Sequence, residues 1–327
     1  MDSSIRVLEA PRKQEREKMR PASPPPSRRS ARAEPLRPAE TRVRRTGFLH
    51  RLRSDKAAFA AFLLLVLVVF GAVGAPLLSP SSADVIAPGE KLQPPSARHP
   101  FGTDDLGRDL FVRVLQGGRV SVAVGVTAVL ITLLIGVAGG AVAGYCGGVV
   151  DSLVMRLADV MLSIPVFLII LLSTSIFSPG FVLLCFLIGS VQWMEVARVV
   201  RATVISTGRQ EFVSAARALG IPGARILFRH VLPHSGGPIL VAATLGLAQA
   251  IVIESTLSFF GFGLQPPAVS WGSLLKDAQS YLATAPWIAI FPGVMIIATV
   301  LSCYVLGDFL KSVLAPGRAM RLPSLRR

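Results

Sequence analysis

Residues 211–233 read EFVSAARALGIPGARILFRHVLP, a polar, arginine-dotted stretch between two long apolar runs. Phe212, Ala215, Ala216 and Leu219 recur at i, i+3, i+4 and i+7, which places them on one face of a helix. Gly220 follows where helices commonly end in a left-handed residue. Pro222 then opens a second helical piece, at a position where its missing N–H costs little. In that piece Arg225 and Arg229 share one face and Leu227 and Val231 another, and Pro233 closes it before the next apolar run. The unit reads as helix, glycine turn, helix, with small alanines on an exposed shoulder that lets another surface approach the backbone. Two readings are open at this point: a short amphipathic helix fitting a groove on a soluble partner, or one resting on lipid headgroups with its arginines on phosphate.

The flanking runs define the class. The chain has 327 residues, 52% hydrophobic and 16% charged, with a mean hydropathy of +0.59, a composition that fits a polytopic membrane protein. Residues 57–78, AAFAAFLLLVLVVFGAVGAPLL, are long enough to cross a hydrocarbon core of about 30 Å at about 1.5 Å per residue. Further spans are predicted at 120–144, 153–177, 180–197, 238–262 and 286–310, giving an all-α membrane protein of about six transmembrane helices. The third contains Arg156, Asp159 and Pro165, which predicts a bend and a first half facing protein. The fourth is short, its end blurred by Glu195 and Arg198.

Outside the spans, residues 1–52 form a basic tail whose Pro, Arg, Ser and Glu content over 1–47 predicts disorder. The first apolar run begins too late for a secretory signal and is long enough to remain as an anchor. Residues 79–118 are assigned to an extracytoplasmic loop, 119–312 to the membrane domain with its polar loop at about 203–235, and 313–327 to a second tail. Of the formal charge of +15, most sits in residues 1–56, which hold 16 Lys/Arg and 7 Asp/Glu. With the N-terminus cytoplasmic, 27 Lys/Arg lie in cytoplasmic segments and 6 on the opposite side. The positive-inside rule therefore puts both termini and residues 211–233 in the cytoplasm. The basic tail suits anionic lipid rather than nucleic acid, since no aromatic residues are interleaved with its arginines.

Several residues invite chemistry and mostly decline it. Cys146, Cys185 and Cys303 are widely spaced without histidine neighbours and read as small buried hydrophobes. Asp104, Asp105 and Asp109 in GTDDLGRD match no calcium loop, and Arg108 competes for them, so a capped turn entering the second span is the better reading. GGAVAGYCGG (139–148) has the small residues of a helix-packing face. Glu254, Asp159 and Asp308 lie nearest membrane depth. Arg156, one turn before Asp159, suggests a structural pair, while Glu254 would contact solute or a neighbouring backbone. His230 and His234 propose no ligand set. No phosphate-cradling G-x-x-x-x-G-K-[ST] occurs, and no nucleophile, base and oxyanion set is present, so no enzyme, metal or cofactor is assigned to the chain. An ion-gradient carrier working through Asp159 and Glu254 is the alternative, although paired broken helices in inverted repeats are not evident.

Residues 211–233 resemble the cytoplasmic "EAA" loop of the integral membrane subunits of bacterial ABC importers. The matching positions are Ala215, Ala216, Gly220, Ile226 and the Leu232-Pro233 pair. Ser214 stands where that loop usually carries glutamate, which leaves Glu211 as the only acid of the helix. HPFGTDDLGRDLFVRVLQGGRVSVAVG from His99, ESTLSFFGFGLQPPAVSWGSLL from Glu254 and APWIAIFPGVMIIATVLSCYVLGDFL from Ala285 are similar to the dipeptide, oligopeptide and nickel branch, in the same order. Of the permease pair that these systems use, the second, shorter one is the more similar. The resemblance implies a type I importer fold and a pathway shared with a homologous second permease. It also implies two cytoplasmic ATPases that hold ATP and Mg, and an extracytoplasmic binding protein. Carried over position by position, the ATPase-coupling loop comprises Glu211, Phe212, Ser214, Ala215, Ala216, Arg217, Leu219, Gly220 and Pro233. Substrate identity and the pathway residues stay open.

Overall fold

The computed structural model describes residues 48–78, 85–177 and 180–314. Residues 1–47 and 315–327, on which the two tail assignments largely fall, lie outside the described residues. Helices account for the architecture, and among the described residues extended pairing is limited to an isolated bridge between Thr103 and Asp109.

Four helical stretches are long and apolar enough to cross a membrane. They are α2 (Lys56–Leu78), α3 (Leu110–Cys146), the run Gly223–Phe259 ending in α10 (Gly236–Phe259), and α12 (Trp287–Leu314). Two further spans are broken. α4 (Gly148–Ser163) and α5 (Val166–Ile176) meet at 80°, and α6 (Phe181–Ser190) and α7 (Trp193–Gly208) at 45°. Six spans are reached when each bent pair counts as one. Pro165 accounts for the sharper bend, because the residue before it is held extended, with Ile164 at ψ 130°.

α3 is the central helix, packed on α2, α6, α7 and α10, while α12 covers α10 and α2. Apolar surface gains little by leaving lipid, so helix association here depends on close packing. The 139–148 stretch supplies it. A Cβ at Gly140 would lie 2.4 Å from the Ala197 carbonyl oxygen, and one at Gly144 2.9 Å from that of Arg201. Gly136 makes the same approach to Trp193, so three glycines one helical turn apart let α7 sit directly on the α3 backbone. The thiols divide: Cys185 and Cys303 are buried, but Cys146, at the end of α3, is exposed.

Element boundaries differ from the hydropathy reading in several places, α7 among them, which runs on to Gly208 past the predicted end at 197. α3 begins at Leu110, ten residues before the predicted 120, because Asp109 accepts hydrogen bonds from the Phe111 and Val112 N–H groups as an N-cap. The polar look of that first turn comes from Arg113, which is buried and paired with Asp104. Residues 48–52, assigned to the tail, belong to α1 (Phe48–Ser54), whose Leu52 is buried in a cluster with Ala58 and Phe309. α12 continues to Leu314, past the predicted end. Finally, α11 (Trp271–Ala278) occupies what read as a loop, started by a Ser270–Ser273 capping box.

Candidate functional site

The 211–233 stretch folds as a hinged helical pair standing off one end of the bundle. α8 (Glu211–Ala218) begins after extended Gln210, whose carbonyl accepts from the Val213 and Ser214 N–H groups. Glu211 in its first turn complements the helix dipole. The helix closes by a six-to-one bond from Ile221 N–H to the Ala216 carbonyl (3.2 Å) and a five-to-two bond from Gly220 N–H to Arg217 (3.0 Å). That double closure is the Schellman motif, and it needs the left-handed residue that Gly220 provides at φ +73°. Ile221, just beyond, packs into the same apolar cluster as Val213 and Ala216, which fixes the angle of the turn.

The face of α8 that is buried is not the one the i, i+3, i+4, i+7 pattern marked. Val213 (0% exposed) and Ala216 are inside, packed with Val200 and Val204 of α7 and Ile226. Phe212, Ser214, Ala215, Arg217 and Leu219 (80% exposed) face outward with Glu211. Of the predicted apolar face, only Ala216 is core. A two-turn amphipathic pattern cannot say which apolar stripe meets the bundle, because two partly apolar stripes exist in eight residues. Phe212 also stacks on His234, ring centroids 5.3 Å apart, and His234 bonds the His230 carbonyl through Nδ1 at 2.7 Å. Ser214 makes no side-chain hydrogen bond among the described residues.

After the turn, α9 (Gly223–Ile226) starts behind Pro222. Gly223 faces Tyr145 of α3, whose hydroxyl would lie 2.4 Å from an added Cβ. Pro233 does not close this piece. The chain passes through a π turn (Leu227–Val231) and a 3-10 turn (Leu232–Ser235) into α10, so that Gly223–Phe259 forms one continuous span. Proline lacks the N–H that would bond the carbonyl four residues back, and the change of helical pitch absorbs that loss without breaking the axis.

Two ion pairs brace α7, the helix that leads into α8. Arg201 grips Asp151 of α4 with both Nε and Nη2, the latter at 2.6 Å. Arg198 reaches Asp159 at 2.6 Å. The expected Arg156–Asp159 pair is thus replaced by one across helices, which the sequence concealed because the partners are 39 residues apart. Asp308 is exposed and holds Lys311 at 2.9 Å.

The opposite end is organised around two acids. Asp104 accepts from the Leu106 and Arg108 N–H groups (2.9 Å each), from Arg108 Nε (2.7 Å) and from Arg113. Burial pushes its carboxyl up, but the Arg108 N–H and the Arg113 and Arg108 charges outweigh this and hold it below the usual aspartate range. This is the capped turn entering the second span. Glu254 of α10, fully buried, accepts from Ser121 of α3 (2.9 Å), Ser258 (2.7 Å) and Ser255 (3.4 Å). Ser121 also receives the Trp271 N–H at 3.2 Å. Glu254 therefore bonds side-chain hydroxyls rather than a neighbouring backbone, and ties α3, α10 and α11 together.

Long apolar helices, two broken spans and an exposed, glycine-hinged helical loop define a polytopic helical membrane protein. Residues 136–319 match the family of binding-protein-dependent transport system inner membrane components, and residues 46–95 match the N-terminal TM domain of oligopeptide transport permease C. The chain belongs to this family: it is the membrane permease of an ATP-driven ABC importer. A dipeptide transport system permease protein of Alkalihalophilus pseudofirmus is 38% identical over 296 residues, covering 90% of this chain and 94% of that one. Oligopeptide transport system permease proteins of Bacillus subtilis and Escherichia coli K12 are each 37% identical, covering 81% of this chain and 87% and 89% of theirs. An ion-gradient carrier is not supported, since the family and these relatives are binding-protein-dependent and peptide transport permeases.

Proposed function

We propose that this chain and a homologous second permease form the membrane pathway of a bacterial importer for peptides or a similar small solute. α8 serves as the helix through which two cytoplasmic ATPases drive it. The observation that carries the reading is the division of α8: Val213 and Ala216 are locked to α7 while Phe212, Ala215 and Leu219 are exposed. Such a helix is anchored on one side and open to a groove on the other. ATP and Mg belong to the ATPases, and an extracytoplasmic binding protein delivers the solute. The relatives' names as dipeptide and oligopeptide permeases support the substrate class.

Force on α8 has two outlets. It reaches α7 through Val200 and Val204, and α4 beyond through Arg201–Asp151. It reaches α10 through the unbroken Gly223–Phe259 run. ATP-driven closure would thereby tilt several spans together between two states of access. Glu211, Ser214 and Arg217 form the polar rim of the docking face, Gly220 the hinge, and Pro233 the change of pitch. The excess of Lys/Arg in the tails and the 203–235 loop supports cytoplasmic termini in the cell membrane, with the basic tail near anionic lipid.

Co-expression of the permease pair with its ATPases tests this. Leu219→Asp with Ala215→Arg, both exposed and harmless to packing, should abolish co-purification of the ATPase while leaving the two permeases paired. Retention of the ATPase at wild-type level would overturn the docking assignment.

A further inference from the structure

The break between α6 and α7 opens onto two adjoining cavities of about 480 and 400 Å³, within the size range of small-molecule sites. Both are lined by Gln192, Glu195, Gln249 and Tyr304, which therefore sit where the two meet. The remaining walls are mainly aliphatic. Gln192 occupies the break itself, and its side-chain N–H₂ is buried without a hydrogen-bond partner. Gly246 of α10 leaves room beside it, the nearest contact of an added Cβ being Val129 at 3.6 Å and Gln192 Oε1 at 3.9 Å.

Glu195 differs from other acids of the helical bundle. Asp151, Asp159 and Glu254 each have charged or hydroxyl partners. Glu195 has no ion pair or hydrogen bond among the described residues, and Lys311, which lines the larger cavity, is held by Asp308. Glu195 is exposed where the two cavities meet, so its carboxylate is open to a cation that enters them. Irregular backbone within a span is tolerated where it lines a cavity.

We propose that Glu195 is the residue of the translocation pathway that receives the primary ammonium group of the solute. Gln192, Gln249 and Tyr304 offer hydrogen bonds to the amide beside it. This rests on the importer reading above and narrows its solute to one with a free amino terminus. The arrangement supplies one negative charge, an unsatisfied amide donor, a further amide and a phenol within an apolar wall, which matches the charge and polarity of a peptide's first residue. Because the external binding protein captures the solute, Glu195 governs passage rather than capture.

The test uses the complete importer in proteoliposomes, with labelled alanyl-alanine as probe, whose only cation is its α-ammonium. Glu195→Gln should lower maximal uptake roughly tenfold to a hundredfold, the range expected for losing a charged hydrogen bond. The half-saturating concentration of loaded binding protein should not change. Glu195→Cys in a Cys146→Ser background should regain uptake after reaction with a sulfonate-bearing thiosulfonate, but not with its trimethylammonium counterpart. Uptake by Glu195→Gln at the wild-type rate, or equal effects of the two reagents, would overturn the inference. So would loss of the second permease from the Glu195→Gln complex, which would make Glu195 an inter-subunit ion-pair partner. If wild-type complex hydrolyses ATP in response to its binding protein yet does not move alanyl-alanine, the inference falls and the importer reading stands. If no ATPase associates at all, the assignment of α8 falls with it.

Discussion

Asp151 of α4 and Arg201 of α7, fifty residues apart, form a two-pronged ion pair with Arg201 Nη2 at 2.6 Å from Asp151 Oδ2. The pair is half-buried, whereas Arg198 and Asp159 on the same two helices are about half exposed. Solvent screens the second pair, and the planar guanidinium gives the first a geometry that lysine cannot copy. A double-mutant cycle on Asp151 and Arg201, read by thermal unfolding in detergent, should return a coupling of about 1 kcal/mol. The Asp159–Arg198 cycle should give less than about half of that. Arg201→Lys should behave more like Arg201→Ala than like wild type.

Gly220 has no atom within 4 Å of an added Cβ, so a side chain there meets open space and only the φ of +73° resists it. Gly220→Ala should weaken the closure of α8 by about 1 kcal/mol, and Gly220→Asn by less. Hydrogen exchange at the Ile221 amide, the donor of the six-to-one bond, measures this directly. Faster exchange in the alanine variant than in the asparagine one is the expected order.

Two adjacent glycines on α3 separate close approach from mere smallness. At Gly140 a Cβ would meet the Ala197 backbone at 2.4 Å, while at Gly139 its nearest neighbour is the Trp193 ring at 3.5 Å. Gly139→Ala should therefore fold and assemble normally. Gly140→Leu should push α7 off α3 and reduce the yield of folded permease severely, as read by size-exclusion profiles after extraction.

Asp104 makes stability depend on acid. Its folded carboxyl lies below the ordinary aspartate range of about 3.9, so its stabilisation is complete above that value and is lost as pH falls through and below it. At pH 7, Asp104→Asn should unfold at a lower temperature than wild type, because buried Arg113 loses its closer anionic partner and keeps only Asp277 at 3.8 Å. The difference between the two proteins should shrink when both are measured below about pH 4.

Local signals in the chain were reliable where one residue answers one local demand. Gly220 stands at the left-handed closure of α8, Pro222 at the start of α9, and Pro165 beside the bend. What misled was any inference about which partner lies across the fold. Asp159 has an arginine three residues earlier but uses one 39 residues later. Arg113 read as a polar loop residue, and became the buried mate of Asp104 within the first turn of α3. The candidate solute site drew notice only as a blur at the end of the fourth span, since Gln192, Glu195, Gln249 and Tyr304 come from three separated segments.

A helical membrane protein with a helix–glycine–helix loop is written in the chain's local chemistry. Apolar run length, glycine conformation and proline's missing donor act within a turn or two of chain. The tertiary fold settles which stripe of α8 is anchored, that Pro233 sits within a continuous run, and which acids have partners. Those outcomes depend on side chains from distant segments competing for the same space and the same charge, and no local pattern encodes the winner.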